Sequence, residues 1–196
     1  MTGPDITTGQ KVTLIAADAT VFAPYGRFVT APDVAGTRLF YSECLHEGPK
    51  GAAPVLHTNC VPQAQLPLRC TRIERHPHAA QCFLPLDVSR YVVLVMPSDV
   101  RGAPMTEAAI GMVLPGDRGV IFHRNVWHMG ASVLDRTGHF AVLMRRGGTQ
   151  PDDEFRDIPP FFCNDARAAR RRKAYHDPDD RALRSRDHTL HPRPFG

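Results

Sequence analysis

Proline constrains the fold of this chain more than any other residue type. There are 18 prolines in 196 residues, and most fall between short apolar runs. Because a proline in a helix interior removes a hydrogen bond and clashes with the preceding turn, long helices are disfavoured over most of the chain. The spacing therefore predicts an all-β fold of short strands joined by turns.

The apolar runs are three to six residues long, are often β-branched or aromatic, and are mostly bounded by Gly, Pro, Asp or Ser. They predict strands at residues 12–15, 39–41, 82–86, 91–96, 120–123 and 140–144. Helical turns are predicted at residues 18–22 and 105–110, where Thr106 is a candidate N-cap. This set of elements is typical of an all-β barrel or sandwich with few short helices.

Charge separates a body from a basic end. Residues 165–196 contain nine lysines and arginines against five acidic residues, which accounts for the whole net charge of +4. We expect one domain over residues 1–164 and an arginine-rich C-terminal extension over 165–196, with a short helix at 165–173. Because the body is neutral, nucleic acid is not the expected partner.

The sequence also bears on the compartment. No apolar run approaches the ~20 residues of a membrane span, and the first residues lack the pattern of a signal peptide. The five cysteines are an odd number with no Cys-x-x-Cys pair, which argues against a disulfide framework. We expect a cytoplasmic protein with no membrane contact.

The first group of side chains suited to chemistry lies in residues 71–86. If residues 73–76 form a strand, alternation places Glu74 and His76 on one face and Arg75 on the other. A carboxylate beside an imidazole suits acid–base chemistry or metal binding. A solvated surface strand has the same pattern, so that alternative stays open.

The second group lies in residues 114–128. Pro115-Gly116-Asp117 predicts a turn, a short strand follows, Arg124-Asn125 predicts a second turn, and His128 begins the next strand. This spacing resembles the second motif of the cupin superfamily, in which a strand pair places one histidine in the mouth of a barrel. The resemblance implies a cupin double-stranded β-helix barrel of antiparallel strands.

The first group then resembles the other cupin motif, with Glu74, His76 and Gln81 at the positions usually held by two histidines and a glutamate. Further blocks narrow the resemblance to the bacterial ureidoglycolate lyases, over residues 21–158. These blocks are residues 22–26, 65–68, 74–77, 81–85, 119–128 and 146–148.

Membership in this family implies cleavage of ureidoglycolate to glyoxylate and urea during allantoin breakdown in purine catabolism. It also implies a carbon–nitrogen lyase of the amidine-lyase type, a homodimer and an association with a divalent metal. Two positions depart from the family pattern. Met129-Gly130 follows the motif histidine where a second histidine and a proline are usual, and Arg145 stands where an acidic residue is expected.

The reaction requires a base for the hydroxyl proton and an acid for the departing urea nitrogen. Glu74 is the expected base, with its pKa raised by an apolar wall. His76 and His128 are expected to hold a metal or to shuttle the proton, and Gln81 is expected to orient either and to contact the substrate. A metal bound by Glu74, His76, Gln81 and His128 suits Ni, Mn or Fe better than a closed structural zinc site, and zinc remains a candidate. In the alternative, the histidines act without a metal.

A guanidinium fork matches a carboxylate, so Arg146 and then Arg124 are the candidates for binding the substrate's carboxylate. Strand alternation is expected to turn His123 away from His128, and Trp127 and Phe83 are expected to pack the core or wall the pocket. Two other functions remain open. One is a non-catalytic cupin that binds a small carboxylate or sugar, and the other is nucleic-acid binding through the basic extension.

Overall fold

The structure is a computed structural model and describes residues 9–165. Strands dominate the described chain, so the predicted all-β class is confirmed. The strands are β1 (Gln10–Ala16), β2 (Gly26–Val29), β3 (Ala53–Val61), β4 (Leu68–Arg75), β5 (Gln81–Pro85), β6 (Arg90–Met96), β7 (Ile110–Pro115), β8 (Gly119–Phe122), β9 (Trp127–His128), β10 (Ser132–Leu134), β11 (Gly138–Arg146) and β12 (Glu154–Asp165).

The strands form two sheets, one of which closes on itself. The larger sheet has the order β10-β6-β7-β1-β12-β4-β9, and β9 pairs back onto β6. Six strands therefore form a ring in which the two-residue strand β9 is the closing member. The second sheet has the order β2-β8-β5-β11-β3. The closed barrel expected from the cupin resemblance is present.

Strand β1 departs from the antiparallel pairing of the other strands. β1 runs parallel to both β12 and β7, and the other pairs are antiparallel. The expectation of antiparallel strands throughout is therefore wrong for β1. Its pairing depends on strands about 100 and 150 positions further along the chain, and local sequence carries no signal for such distant pairing.

Strand β6 is buried on both faces, which explains why its sequence is continuously apolar. Val92 and Leu94 belong to one core cluster, and Tyr91 and Val93 belong to another. The second cluster also contains inward-facing residues of the five-stranded sheet, among them Phe83. The two sheets therefore share a core, and β6 separates it from the interior of the ring.

The short elements agree only partly with the sequence. Helix α1 (Ala19–Phe22) is confirmed, and the Asp18 carboxylate caps it by accepting hydrogen bonds from two backbone N–H groups. The helix expected at residues 105–110 is a single 3-10 turn over Thr106–Ala108, and Thr106 is not its cap. Within the described residues, no helix has the length and apolar character needed to cross a bilayer.

Residues 39–41 do not form the predicted strand. No strand pairs with them, Leu39 and Phe40 are exposed, and the apolar run lies on the surface. The predicted helix at 165–173 and the basic extension at 165–196 lie outside the described residues, except for Asp165, which ends β12.

Contacts among Trp127, Gly102 and Arg75 hold strand β9 in place. Trp127 is fully buried, and its indole N–H donates to the Gly102 carbonyl at 3.0 Å. The Arg75 guanidinium lies 4.5 Å from the Trp127 ring centroid and donates to the same carbonyl. Arg75 also pairs with Glu154 of β12 at 2.6 Å. These contacts fix β9 against β4 on the face opposite Glu74.

We expect Trp127→Phe to lower the free energy of unfolding by about 1–3 kcal/mol, because it removes a buried hydrogen bond and weakens a desolvated cation–π contact. Equilibrium urea unfolding measures this change. Phe155→Leu is the matched control, since Phe155 is exposed and has Arg72 over its ring at 4.6 Å. The control is expected to cost about 0.5 kcal/mol or less. Equal losses in the two variants would contradict this account of β9.

Candidate active site

Two side chains of the first sequence motif lie at the end of β4. Glu74 belongs to the strand, and His76 follows directly after it. Arg75, between them, contacts Trp127 on the opposite face, as alternation along the strand predicts. Glu74 is 18% exposed and His76 is 3% exposed. A small molecule can therefore reach the carboxylate, and the imidazole lies behind it.

The second motif brings His128 onto the same spot. In the register of β4 and β9, His128 lies directly opposite Glu74, and its Nε2 is 3.4 Å from Glu74 Oε1. Gln81 approaches from β5 of the other sheet, with its Oε1 at 3.0 Å from the same Nε2. The His128 ring stacks on Phe122 with centroids 4.2 Å apart. Both sheets thus contribute to one polar cluster at the edge of their shared core.

A tight turn couples the two motifs. Asn125 has a φ of 64°, a left-handed conformation that asparagine tolerates better than most residues. Its backbone N–H donates to the His76 carbonyl at 2.6 Å. The predicted turn at 124–125 is present, and it fixes the backbone of His76 relative to the start of β9.

Backbone carbonyls set the orientation of both imidazoles. His76 Nδ1 lies 2.8 Å from the Asp152 carbonyl, and His128 Nδ1 lies 2.9 Å from the Val126 carbonyl. Because a carbonyl only accepts hydrogen bonds, each Nδ1 must carry the proton. Among the described residues, His76 Nε2 is one of two buried side-chain polar atoms that have no hydrogen-bond partner. An acceptor nitrogen is thus left without a partner inside the cluster.

The arrangement fits a divalent metal. One ligand atom each from Glu74, His76 and His128 lie within 4.8 Å of one another. Histidines that donate Nδ1–H to a carbonyl and keep Nε2 available are the usual form of metal-ligating imidazoles. The Gln81 oxygen adds a fourth candidate ligand beside His128. A proton on His128 Nε2 can occupy the same place as a cation, so the set of donors serves either chemistry.

The pKa of Glu74 departs from the sequence-based expectation. Burial acts most strongly and raises the pKa, as expected. The hydrogen bond to His128 and the electrostatic influence of His128, His76 and Arg146 act in the opposite direction, and the net pKa is lowered. The expected rise is therefore wrong. The hydrogen bond and the electrostatic attraction of the neighbouring groups outweigh the effect of burial, so Glu74 is ionised at neutral pH.

Arg146 lies at the edge of this cluster, at the end of β11. Its charge reaches Glu74, but its fork is already paired with Asp153, with Nη1 and Nη2 each 3.1 Å from a carboxylate oxygen. Its Nε lies 3.1 Å from Met144 Sδ. A cavity of about 420 Å³ borders Arg146 and Asp153. The first candidate for binding a substrate carboxylate thus faces a cavity but has an internal partner.

Arg124 is not brought into the cluster. Its guanidinium pairs with Glu47 at 3.0 Å, on the rim of another cavity that His123 also lines. His123 is therefore turned away from His128, as strand alternation predicts. Trp127 and Phe83 are both core residues.

The two departures from the family pattern lie away from the cluster. Arg145 faces outward from β11, because the inward-facing Met144 precedes it, and donates to the Ala52 carbonyl at 2.6 Å. Met129 packs in the core cluster inside the ring. In the described residues, neither side chain has a contact with Glu74, His76 or His128.

Sequence reasoning missed Asp152 and Asp153. The Asp152 carbonyl accepts from His76 Nδ1, and the Asp153 carboxylate lies 3.2 Å from the same nitrogen. In the sequence they belong to an acidic run that is typical of a solvated loop, and no local pattern distinguishes them. Only the pairing of Glu154 with Arg75, which aligns β12 with β4, places this run beside His76.

Comparison with known proteins identifies close similarity to one family. A family model described as ureidoglycolate lyase matches residues 10–159. A ureidoglycolate lyase of Burkholderia cepacia is 35% identical over 103 residues, which is 52% of this chain and 56% of the relative. One from Pseudomonas savastanoi pv. phaseolicola is 35% identical over 89 residues, covering 45% of this chain and 51% of the relative. The matched part thus spans about half the length of these curated relatives.

We expect His76→Gln to weaken Ni²⁺ binding by at least about tenfold, because it removes the buried Nε2 that has no protein partner. Isothermal titration of the metal-free protein with Ni²⁺ at fixed pH measures the affinity. His123→Gln is the matched control and is expected to bind as the wild type does, since His123 lines a different cavity. Equal affinity in the wild type and His76→Gln would exclude His76 as a ligand.

Proposed function

Because the chain belongs to the ureidoglycolate lyase family, as its sequence motifs predict, we propose that it cleaves ureidoglycolate to glyoxylate and urea. The observation that carries the proposal is the convergence of Glu74, His76 and His128 within 4.8 Å, at a position that solvent reaches. A reaction of this kind needs an ionised base and a proton donor side by side, and this cluster supplies both.

The proposed reaction requires no covalent intermediate and no added water. Glu74, ionised at neutral pH, takes the proton of the substrate's hydroxyl group. The oxygen's electron pair forms the C=O bond of glyoxylate while the C–N bond breaks and its electrons pass to the urea nitrogen. That nitrogen takes a proton from Nε2 of His128, which is 3.4 Å from Glu74. The proton on Glu74 then returns to His128, so the catalyst is restored.

The residues also suit a bound metal. Glu74, His76 and His128 would hold it, with the Gln81 oxygen as a further ligand, and the cation would polarise an oxygen atom of the substrate. Gln81 also orients His128, because its amide oxygen lies 3.0 Å from Nε2 and its amide nitrogen contacts Met144 Sδ at 3.7 Å. As the alternative to a proton on His128 Nε2, we propose a divalent ion such as Ni, Mn, Fe or Zn at this position, because one nitrogen cannot both donate a proton and bind a metal.

Arg146 is the proposed receptor for the carboxylate of ureidoglycolate. It borders a cavity, it is exposed enough for a ligand to reach, and its charge already acts on Glu74. Arg124 is not part of this proposal, because its ion pair with Glu47 lies on another cavity.

We propose a cytoplasmic location. The thiols of Cys60, Cys70 and Cys163 are free, which suits a reducing compartment. Burial raises the pKa of Cys163 to about 12, so this thiol is inert.

We also propose a homodimer that buries the outer face of the five-stranded sheet. Leu56 is 68% exposed and lies opposite Leu143 in the β3–β11 register. Leu143 and Pro54 line a mainly apolar cavity of about 450 Å³, and the exposed Phe40 adjoins its residue Tyr41. Projecting apolar side chains beside an apolar cavity allow one patch to fit a second copy of itself.

We expect purified protein to release glyoxylate and urea in equal amounts from ureidoglycolate, and Glu74→Gln to lower kcat at least about 100-fold while keeping the fold. Glutamine has the same shape but takes no proton. A coupled glyoxylate assay measures turnover, and thermal unfolding checks the fold. Glu107→Gln, an exposed residue of a 3-10 turn, is the control. An unchanged rate would remove Glu74 as the base, and binding without release would favour the non-catalytic alternative.

For the dimer, we expect Leu56→Arg to convert the protein to a monomer, because it places a charge in the proposed apolar contact. Light scattering coupled to size-exclusion chromatography measures the mass. Val100→Arg is the control, since Val100 is a fully exposed apolar residue in the loop after β6. A wild type that is already monomeric, or a Leu56→Arg protein that stays dimeric, would contradict the proposed interface.

A further inference from the structure

The Asp153 carboxylate is bound to the guanidinium group of Arg146, the arginine that borders the cavity. Its two carboxylate oxygens accept from Nη1 and Nη2 of Arg146, each at 3.1 Å. This paired arrangement is the one by which a guanidinium recognises any carboxylate, including that of a small acid. The protein therefore places one of its own carboxylates where an incoming one would be expected to bind.

The same carboxylate contacts the polar cluster. Asp153 Oδ1 lies 3.2 Å from His76 Nδ1, on the side of the ring opposite the buried Nε2. Carboxylates at this position hold an imidazole in one orientation, and their loss typically costs 10–100-fold in metal affinity or activity. Asp153 thus contacts both Arg146 and His76.

The negative charge of Asp153 affects how a carboxylate-bearing ligand can bind to Arg146. Asp152 and Asp153 line the cavity beside Arg146, and among the described residues Arg146 is the one arginine whose charge is found to act on Glu74. A bound carboxylate adds another negative charge, and like charges at short range oppose binding. Both the Asp153 side chain and the Arg146 side chain are about two-fifths exposed, so the pair is open to exchange of partners.

We propose that Asp153 is an internal carboxylate that competes with the substrate's carboxylate for Arg146, and that it also positions His76 for turnover. The inference rests on the proposed function, because it assumes that Arg146 receives a carboxylate-bearing ligand. Asp153 therefore weakens ground-state binding and accelerates the reaction. Its removal should lower KM and kcat together, whereas loss of a merely structural residue should raise KM or leave it unchanged.

The experiment compares the wild type with Asp153→Asn and Asp153→Ala. Glyoxylate, which carries the carboxylate, is titrated calorimetrically, and glycolaldehyde serves as the matched neutral probe. We expect glyoxylate to bind about tenfold more tightly to both variants, since one like charge is removed and the fork is released. Glycolaldehyde binding should not change. In the lyase assay, kcat should fall by about 10–100-fold.

Two further variants complete the design. Arg146→Lys keeps the charge but loses the fork, so it should lose glyoxylate binding. Asp157→Asn makes the same chemical change at an exposed position of β12 and should match the wild type in both assays. Glyoxylate affinity that is unchanged, weaker or absent in the Asp153 variants would overturn the competition, and an unchanged kcat would overturn the positioning role. The titration needs no turnover, so a chain without lyase activity would refute the proposed function and still test Asp153.

Discussion

The rest of this structure depends on the pairing of the two-residue strand β9, which consists of Trp127 and His128, with its neighbours β4 and β6. Their strand closes the six-stranded ring by joining β4 to β6, and it is too short to hold itself by hydrogen bonds alone. The Trp127 ring behind it, in contact with Arg75 and Gly102, supplies the missing attachment. The same strand pairing therefore closes the ring and places His128 opposite Glu74. A chemical cluster built on such a strand is only as well defined as the packing behind it.

Backbone carbonyls take part in orienting both histidines. The carbonyls of Asp152 and Val126 accept from the Nδ1 atoms of His76 and His128, and the side chains of Asp153 and Gln81 add one contact to each ring. Glu74 and Arg146 contribute the charge of the cluster. The pKa of Glu74 is lowered, because the hydrogen bond to His128 and the electrostatic influence of His128, His76 and Arg146 outweigh the burial that alone would raise it.

Sequence periodicity was sufficient to predict features that depend on neighbouring residues in the chain. Alternation placed Glu74 and His76 on one face, and the turn at Arg124-Asn125 placed His128 at a strand start. It failed for β12, where Pro159 and Pro160 argue against a strand, and the structure accommodates them at a register shift between Asp157 and Phe161. It also failed for Asp153, whose role arises only when β12 lies beside β4. Contacts between distant segments decide these cases, and local sequence does not record them.

The carbonyl that orients His76 comes from a residue 76 positions later in the chain. During synthesis on the ribosome, the imidazole therefore lacks its final orientation until Asp152 has emerged and β12, which follows it, has joined the sheet. Glu74, Gln81 and His128 are all made before that moment. A nascent chain that includes His128 but not Asp152 therefore contains Glu74, His76, Gln81 and His128 without the contact that orients His76.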